Sequence, residues 1–176
     1  FMSCDGIPRW DMTIHQYLSI NTKEWTSKIK YSSNNGKNGV VQVLHSPNHR
    51  GFKGTEYLIQ AINELKEEGL QIELILLEKV QNIRVRELMQ EVDILAEQFI
   101  FTGYALSGIE GMASGLPVLA NLDNEAYTTV FRRYSFLNEC PILSTTPETI
   151  KDNLRLLITN PELRKELGEL GRKYAE

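Results

Sequence analysis

Short, continuous apolar runs alternating with segments of helical period constrain this chain more than any other feature. VVQVLH at 40–45, IELILLE at 72–78 and ILAEQFIF at 94–101 do not alternate polar with apolar, so each reads as a strand buried on both faces. Between them lie helical patterns. Leu58, Ile59, Ile62 and Leu65 recur at helical spacing after Thr55, with Gly69 as the stop. Val85, Leu88, Met89 and Val92 form a second stripe over 82–93. PVLAN at 117–121 gives a fourth strand and PIL at 141–143 a short fifth, with a less regular stretch at 122–139. Two helices close the chain, each with proline expected at its first position after a capping residue, Thr146-Pro147 and Asn160-Pro161. Strand and helix in this order predict an α/β domain with a doubly wound parallel sheet.

The first 39 residues are less informative. Trp10 and Trp25 read as packing anchors, one short strand is allowed, and SSNNGKNG at 32–39 reads as a loop or linker. The division is therefore an irregular lead-in over 1–39 and one domain over 40–176. A formal charge of −4 argues against a nucleic-acid surface. No apolar run approaches the ~20 residues that cross a bilayer, and Cys4 and Cys140 form no metal-spaced pair. A cytoplasmic location with two free thiols is the expectation.

In a doubly wound sheet, ligands bind outside the carboxyl ends of the strands. Two loops qualify, 46–54 after the first strand and 102–108 after the third, both glycine-containing and both leading into a helix. Arg50 and Lys53 lie just before a helix N-terminus, where cations and free N–H groups could together neutralise a diphosphate. TGYALSGIEGMASGLPVLAN at 102–121 suggests a helix beginning near Gly108, with Glu110 beside the expected anion and in need of a neutral partner such as a pair of hydroxyls. Other chemistries lack their signatures: no G-x-G-x-x-G, no G-x-x-x-x-G-K-[ST] and no G-x-S-x-G is present. Pro47 between His45 and His49 disfavours a metal pair on one helical turn. Each loop alone also reads blandly, as a solvated charged loop and as a helix packed tightly on a sheet.

Together they resemble a family. HRGFKGTEYLIQAI, GIEGMASGLPVLAN and NPELRKELGELGRKYAE, in this order and spacing, look like the C-terminal, Rossmann-like half of a GT-B glycosyltransferase of the retaining group 1, or family 4. The resemblance runs from about Val40 to Glu176 and rests on the combination of KG with E-x-M-A-x-G-x-P-V. It implies that Lys53, with Arg50, binds the diphosphate of a nucleotide sugar, and that Glu110 holds the ribose hydroxyls. It further implies donor contacts from Gly51, Gly54, Ser107, Gly108 and Ile109, and base contacts near 78–82, including Lys79. The family often carries a second glutamate eight positions before the first, facing the donor sugar; here that position is Thr102, which is carried over among the substrate-binding residues.

No metal or other cofactor is implied. The implied partners are a nucleotide sugar and an N-terminal acceptor-binding domain of the same full-length protein, with peripheral membrane association possible through that half and no nucleic acid. Without that half, the resemblance implies a donor domain that binds but does not transfer. The alternatives are a nucleotide-sugar epimerase of the same architecture and a non-catalytic nucleotide-binding or scaffolding module.

Overall fold

A computed structural model describes residues 20–134 and 136–176. Its five strands, β1 (Val41–His45), β2 (Ile72–Leu76), β3 (Ile94–Gln98), β4 (Val118–Ala120) and β5 (Leu143–Ser144), pair in parallel in the order β2-β1-β3-β4-β5. The helices are α1 (Arg50–Lys53), α2 (Thr55–Glu67), α3 (Asn82–Met89), α4 (Leu106–Ala113), α5 (Glu125–Tyr134), α6 (Ile150–Thr159) and α7 (Pro161–Ala175).

Because neighbouring strand residues point to opposite faces, the continuous apolar runs build two cores. Val43 and Ile94 join Leu58, Ile62 and Leu65 of α2 and Ile150, Leu154 and Leu157 of α6 on one face. Leu44 and Leu95 join Val85 and Met89 of α3 and Ile109 and Met112 of α4 on the other. Chain order reverses between β1 and β3, and the helices that follow these two strands leave to opposite faces. A crevice opens between their loops.

The strands appear in the expected number and order. Several boundaries differ. β3 stops at Gln98 rather than Phe101, and α3 stops at Met89 rather than Asp93. The 122–139 stretch contains α5. Asn160 caps α7 as expected, its Oδ1 accepting from the Leu163 N–H at 3.1 Å with Pro161 opening the helix. Pro147 does not open α6. The Thr146 carbonyl instead accepts from Thr149 and Ile150, forming a turn that delays the helix to Ile150.

Residues 20–39 carry no helix or strand but are firmly attached. Trp25 is buried, and the buried Lys28 ammonium donates to the Val92 carbonyl. Arg172 reaches the carbonyls of Thr22 and Trp25, and buried Arg164 those of Ser32 and Asn34. The expected roles of Trp10 and Cys4 fall outside the described residues. Cys140 is a free thiol, and no described helix is long and apolar enough to cross a membrane.

Candidate functional site

Lys53 ends α1, a single turn between two fixed points. His49 caps its start, the Nδ1 accepting from the Phe52 N–H at 3.3 Å. Gly54 ends it at φ 72°, a left-handed conformation that favours glycine, and a β-carbon there would also lie 3.1 Å from that of Phe99. This sharp exit turns the Lys53 side chain inward, where it is only 7% exposed.

The Lys53 ammonium ion-pairs with Glu97 Oε1 and donates to Gln98 Oε1 at 2.9 Å. Consecutive strand residues normally face opposite ways, yet both of these reach one lysine. The cause is a register shift between Ala96 and Gln98 against β4. Such an irregularity re-aims a side chain. Ser107 Oγ donates to the same Glu97 Oε1 at 2.9 Å, while Glu97 Oε2 is buried without a partner. Lys53 and Gln98 line a cleft of about 300 Å³, walled by His49, Phe52, Phe101 and Ala105.

Helix α4 starts at Leu106, two residues before the expected position, with Ala105 at its N-cap and no side-chain cap. The Gly108 and Ile109 N–H groups already donate to the Ala105 carbonyl at 3.0 and 3.5 Å. The groups that helix geometry leaves for a ligand are therefore the earlier ones, on Leu106 and Ser107. The Ile109 side chain belongs to the core.

Glu110, one turn beyond Ser107 on the same face of α4, is buried and accepts from Asn82 Nδ2 at 3.1 Å. Burial raises its carboxyl above the usual range, and the Asn82 bond opposes the rise. Contacts thus join Lys53, Glu97 and Ser107, and the Glu110–Asn82 pair follows one turn further along the same face of α4.

The other expected residues lie around this group. Arg50 pairs with Glu56 at 2.7 Å and Glu78 at 3.2 Å, away from the Lys53 cleft. Gly51 lies within α1, and Lys79 adopts φ 57° in the loop after β2. Thr102 lines a separate depression of about 340 Å³ with Asn121, Asp123 and Glu148. His45 is buried under the site in a packing role, its ring nitrogens bonded to the Ala96 carbonyl and the Thr55 hydroxyl at 2.7 and 2.8 Å. Glu97 and Gln98 were not expected, and Asn82, within the 78–82 stretch expected to contact the base, was not expected to bond Glu110. The available signal was EQ, two polar residues interrupting an apolar strand. Among the described residues, no three His, Cys, Asp or Glu side chains gather as a metal would require.

The parallel sheet, with its lysine–carboxylate cluster at the point where chain order reverses, defines a Rossmann-like domain of the kind found in the C-terminal half of GT-B glycosyltransferases. The family model for glycosyl transferases group 1 matches residues 51–174, and the chain belongs to that family. It is 26% identical over 146 residues to an uncharacterized glycosyltransferase of Methanocaldococcus jannaschii, covering 70% of this chain and 40% of the relative.

Solved structures share the fold. WaaG, a glycosyltransferase involved in lipopolysaccharide biosynthesis, superposes with a TM-score of 0.59 at 19% identity, over 80% of this chain and 44% of WaaG. The C-terminal domain of the group 1 family protein LpcC from Francisella tularensis gives 0.55 at 15% identity, over 89% of this chain and 96% of that domain. S. aureus TarM, solved with UDP, gives 0.63 at 13% identity, over 97% of this chain and 38% of TarM. The chain thus spans less than half the length of the curated relative and of WaaG.

Proposed function

We propose that this chain is the nucleotide-sugar-binding domain of a retaining glycosyltransferase that transfers a hexose from a nucleoside diphosphate sugar to an acceptor in glycan or glycolipid synthesis, in the cytoplasm. The acceptor is held by an N-terminal domain of the same protein, and the isolated chain binds donor without transferring it. One observation carries this reading. A buried lysine tied through Glu97 to the uncapped N-terminus of α4, and a buried carboxylate one turn along that helix, gather at the strand ends.

Lys53 and the N-terminus of α4 face the diphosphate, and Glu110 accepts from the ribose hydroxyls. Breaking the bond from anomeric carbon to phosphate leaves negative charge on the departing diphosphate. Fixed donors stabilise that charge without needing a metal, each contributing about 2.7–4 kcal/mol to lowering the barrier. Arg50 joins them only by leaving Glu56 and Glu78. Calorimetry with UDP, GDP, ADP and their sugars tests the reading, with UDP first because TarM was solved with it. Saturable binding of one series, weakened on the order of a hundredfold in Lys53→Ala, is expected. No response to any of them points instead to a non-catalytic module.

A further inference from the structure

We propose that Glu97 is a resident counter-anion: without ligand its carboxylate holds the charge position against Lys53 and beside the first turn of α4, and a diphosphate binds by taking over that lysine. This rests on the reading of Lys53 as the diphosphate-binding residue.

Glu97 Oε1 receives both the Lys53 ammonium and the Ser107 hydroxyl. A β-carbon on Gly108 would lie 3.8 Å from Glu97 Oε2, which places the carboxylate next to the start of α4. The dipole of a helix start favours an anion there. The carboxylate side chain is 1% exposed, yet Oε2 has no partner. A buried ion pair that serves stability alone is expected to satisfy both oxygens. Arg50, the other cation of this loop, is committed to two glutamates. The Lys53–Glu97 pair has no net charge, so the cleft offers a diphosphate a free cation only once the pair is relaxed. Glutamine at position 97 would keep the shape and leave Lys53 buried without a counter-charge, which an anionic ligand would then supply.

The test measures binding and melting temperature for the unaltered protein, Glu97→Gln, Lys53→Met and the double variant, with pyrophosphate and with UDP, GDP and ADP. Glu97→Gln is expected to melt lower without ligand and to bind pyrophosphate about tenfold tighter than the unaltered protein. The gain is expected to vanish in the double variant, whose neutral pair has no cation to offer. The proposal is overturned if folded Glu97→Gln binds pyrophosphate no better than the unaltered protein, or if the gain persists without Lys53. If Glu97→Gln does not fold, Glu97→Asp, with its carboxylate drawn back by one methylene, has to show a smaller gain of the same sign; no gain overturns the proposal. A pyrophosphate gain with no nucleoside diphosphate bound by any variant supports the counter-anion and sinks the donor-domain reading.

Discussion

Asn82 Nδ2 donates to Glu110 Oε1 across 3.1 Å, so the first residue of α3 steadies a carboxylate on α4. That carboxyl titrates above its ordinary 4.5 because it is buried. A group whose folded pKa is raised favours folding at low pH, and its contribution is lost as pH rises through the raised value. Binding runs the other way, because only the ionised form accepts from two ribose hydroxyls. Glu110→Gln is therefore expected to raise Tm at neutral pH, by roughly 2 °C, while weakening nucleoside diphosphate binding. Asn82→Ala moves the acid limb of binding to higher pH, measured by calorimetry across a pH series. A Glu110→Gln protein with lower Tm and unchanged affinity contradicts this assignment.

Lys53 and Arg50 are the two ends of the single turn α1, but the structure separates their side chains. Lys53 turns into the cleft, and Arg50 turns out to Glu56 and Glu78. Lys53→Ala is expected to reduce nucleoside diphosphate affinity by a factor on the order of one hundred, the scale of removing a charge-assisted hydrogen bond from a buried site. Arg50→Ala is expected to change it less than about threefold, in line with exposed ion pairs. Equal losses in the two variants, read by calorimetry in one buffer, mean that Arg50 leaves its glutamates on binding.

The fold was legible because both-face-buried strands cannot alternate and helices must repeat near 3.6; Val43–Leu44 and Ile94–Leu95 declare both cores at once. The places of Lys53 and Gly54 just before α2 and of Glu110 on the helix after β3 were legible from the glycines and the E-x-M-A block, while their roles rest on the resemblance. Glu97 was not legible, because its meaning depends on a one-residue register shift against β4 that no pattern in β3 announces. The start of α4 was misplaced for a related reason: Ala105 is no capping residue, so nothing local marked it. Thr102, which stands where the resemblance places a second glutamate, lines the depression with Asn121, Asp123 and Glu148 and is not in the lining of the Lys53 cleft.

His45 gives the fold a pH dependence of its own. Its Nδ1–H donates to the Ala96 carbonyl and its Nε2 accepts from the Thr55 hydroxyl, which fixes a neutral ring. Burial lowers its pKa from 6.5 to about 4. The unfolded chain therefore takes up a proton that the folded one refuses. Stability present above pH 6.5 falls as pH drops toward about 4, by about 3 kcal/mol in all. His45→Gln, which can keep both bonds, should flatten Tm against pH across that window. An unchanged slope assigns the acid sensitivity to other groups.

Gly168 on α7 approaches the chain so closely that a β-carbon would stand 2.2 Å from the Gly115 carbonyl oxygen and 2.8 Å from the Tyr31 hydroxyl. Backbone cannot yield as a side-chain tip can, so Gly168→Ala has to push α7 off the turn that follows α4. A destabilisation of about 3 kcal/mol is expected, the upper end for overpacking at a closed interface. Gly69→Ala is the control. A β-carbon there meets nothing within 4 Å, and its cost comes from φ 93° alone. Because α7 also carries Arg172, which holds the carbonyls of Thr22 and Trp25, Gly168→Ala should loosen residues 20–39 as well. Limited proteolysis reads this directly: cleavage near Lys23 or Lys28 should accelerate in Gly168→Ala and not in Gly69→Ala, and equal rates would separate the lead-in from the packing of α7.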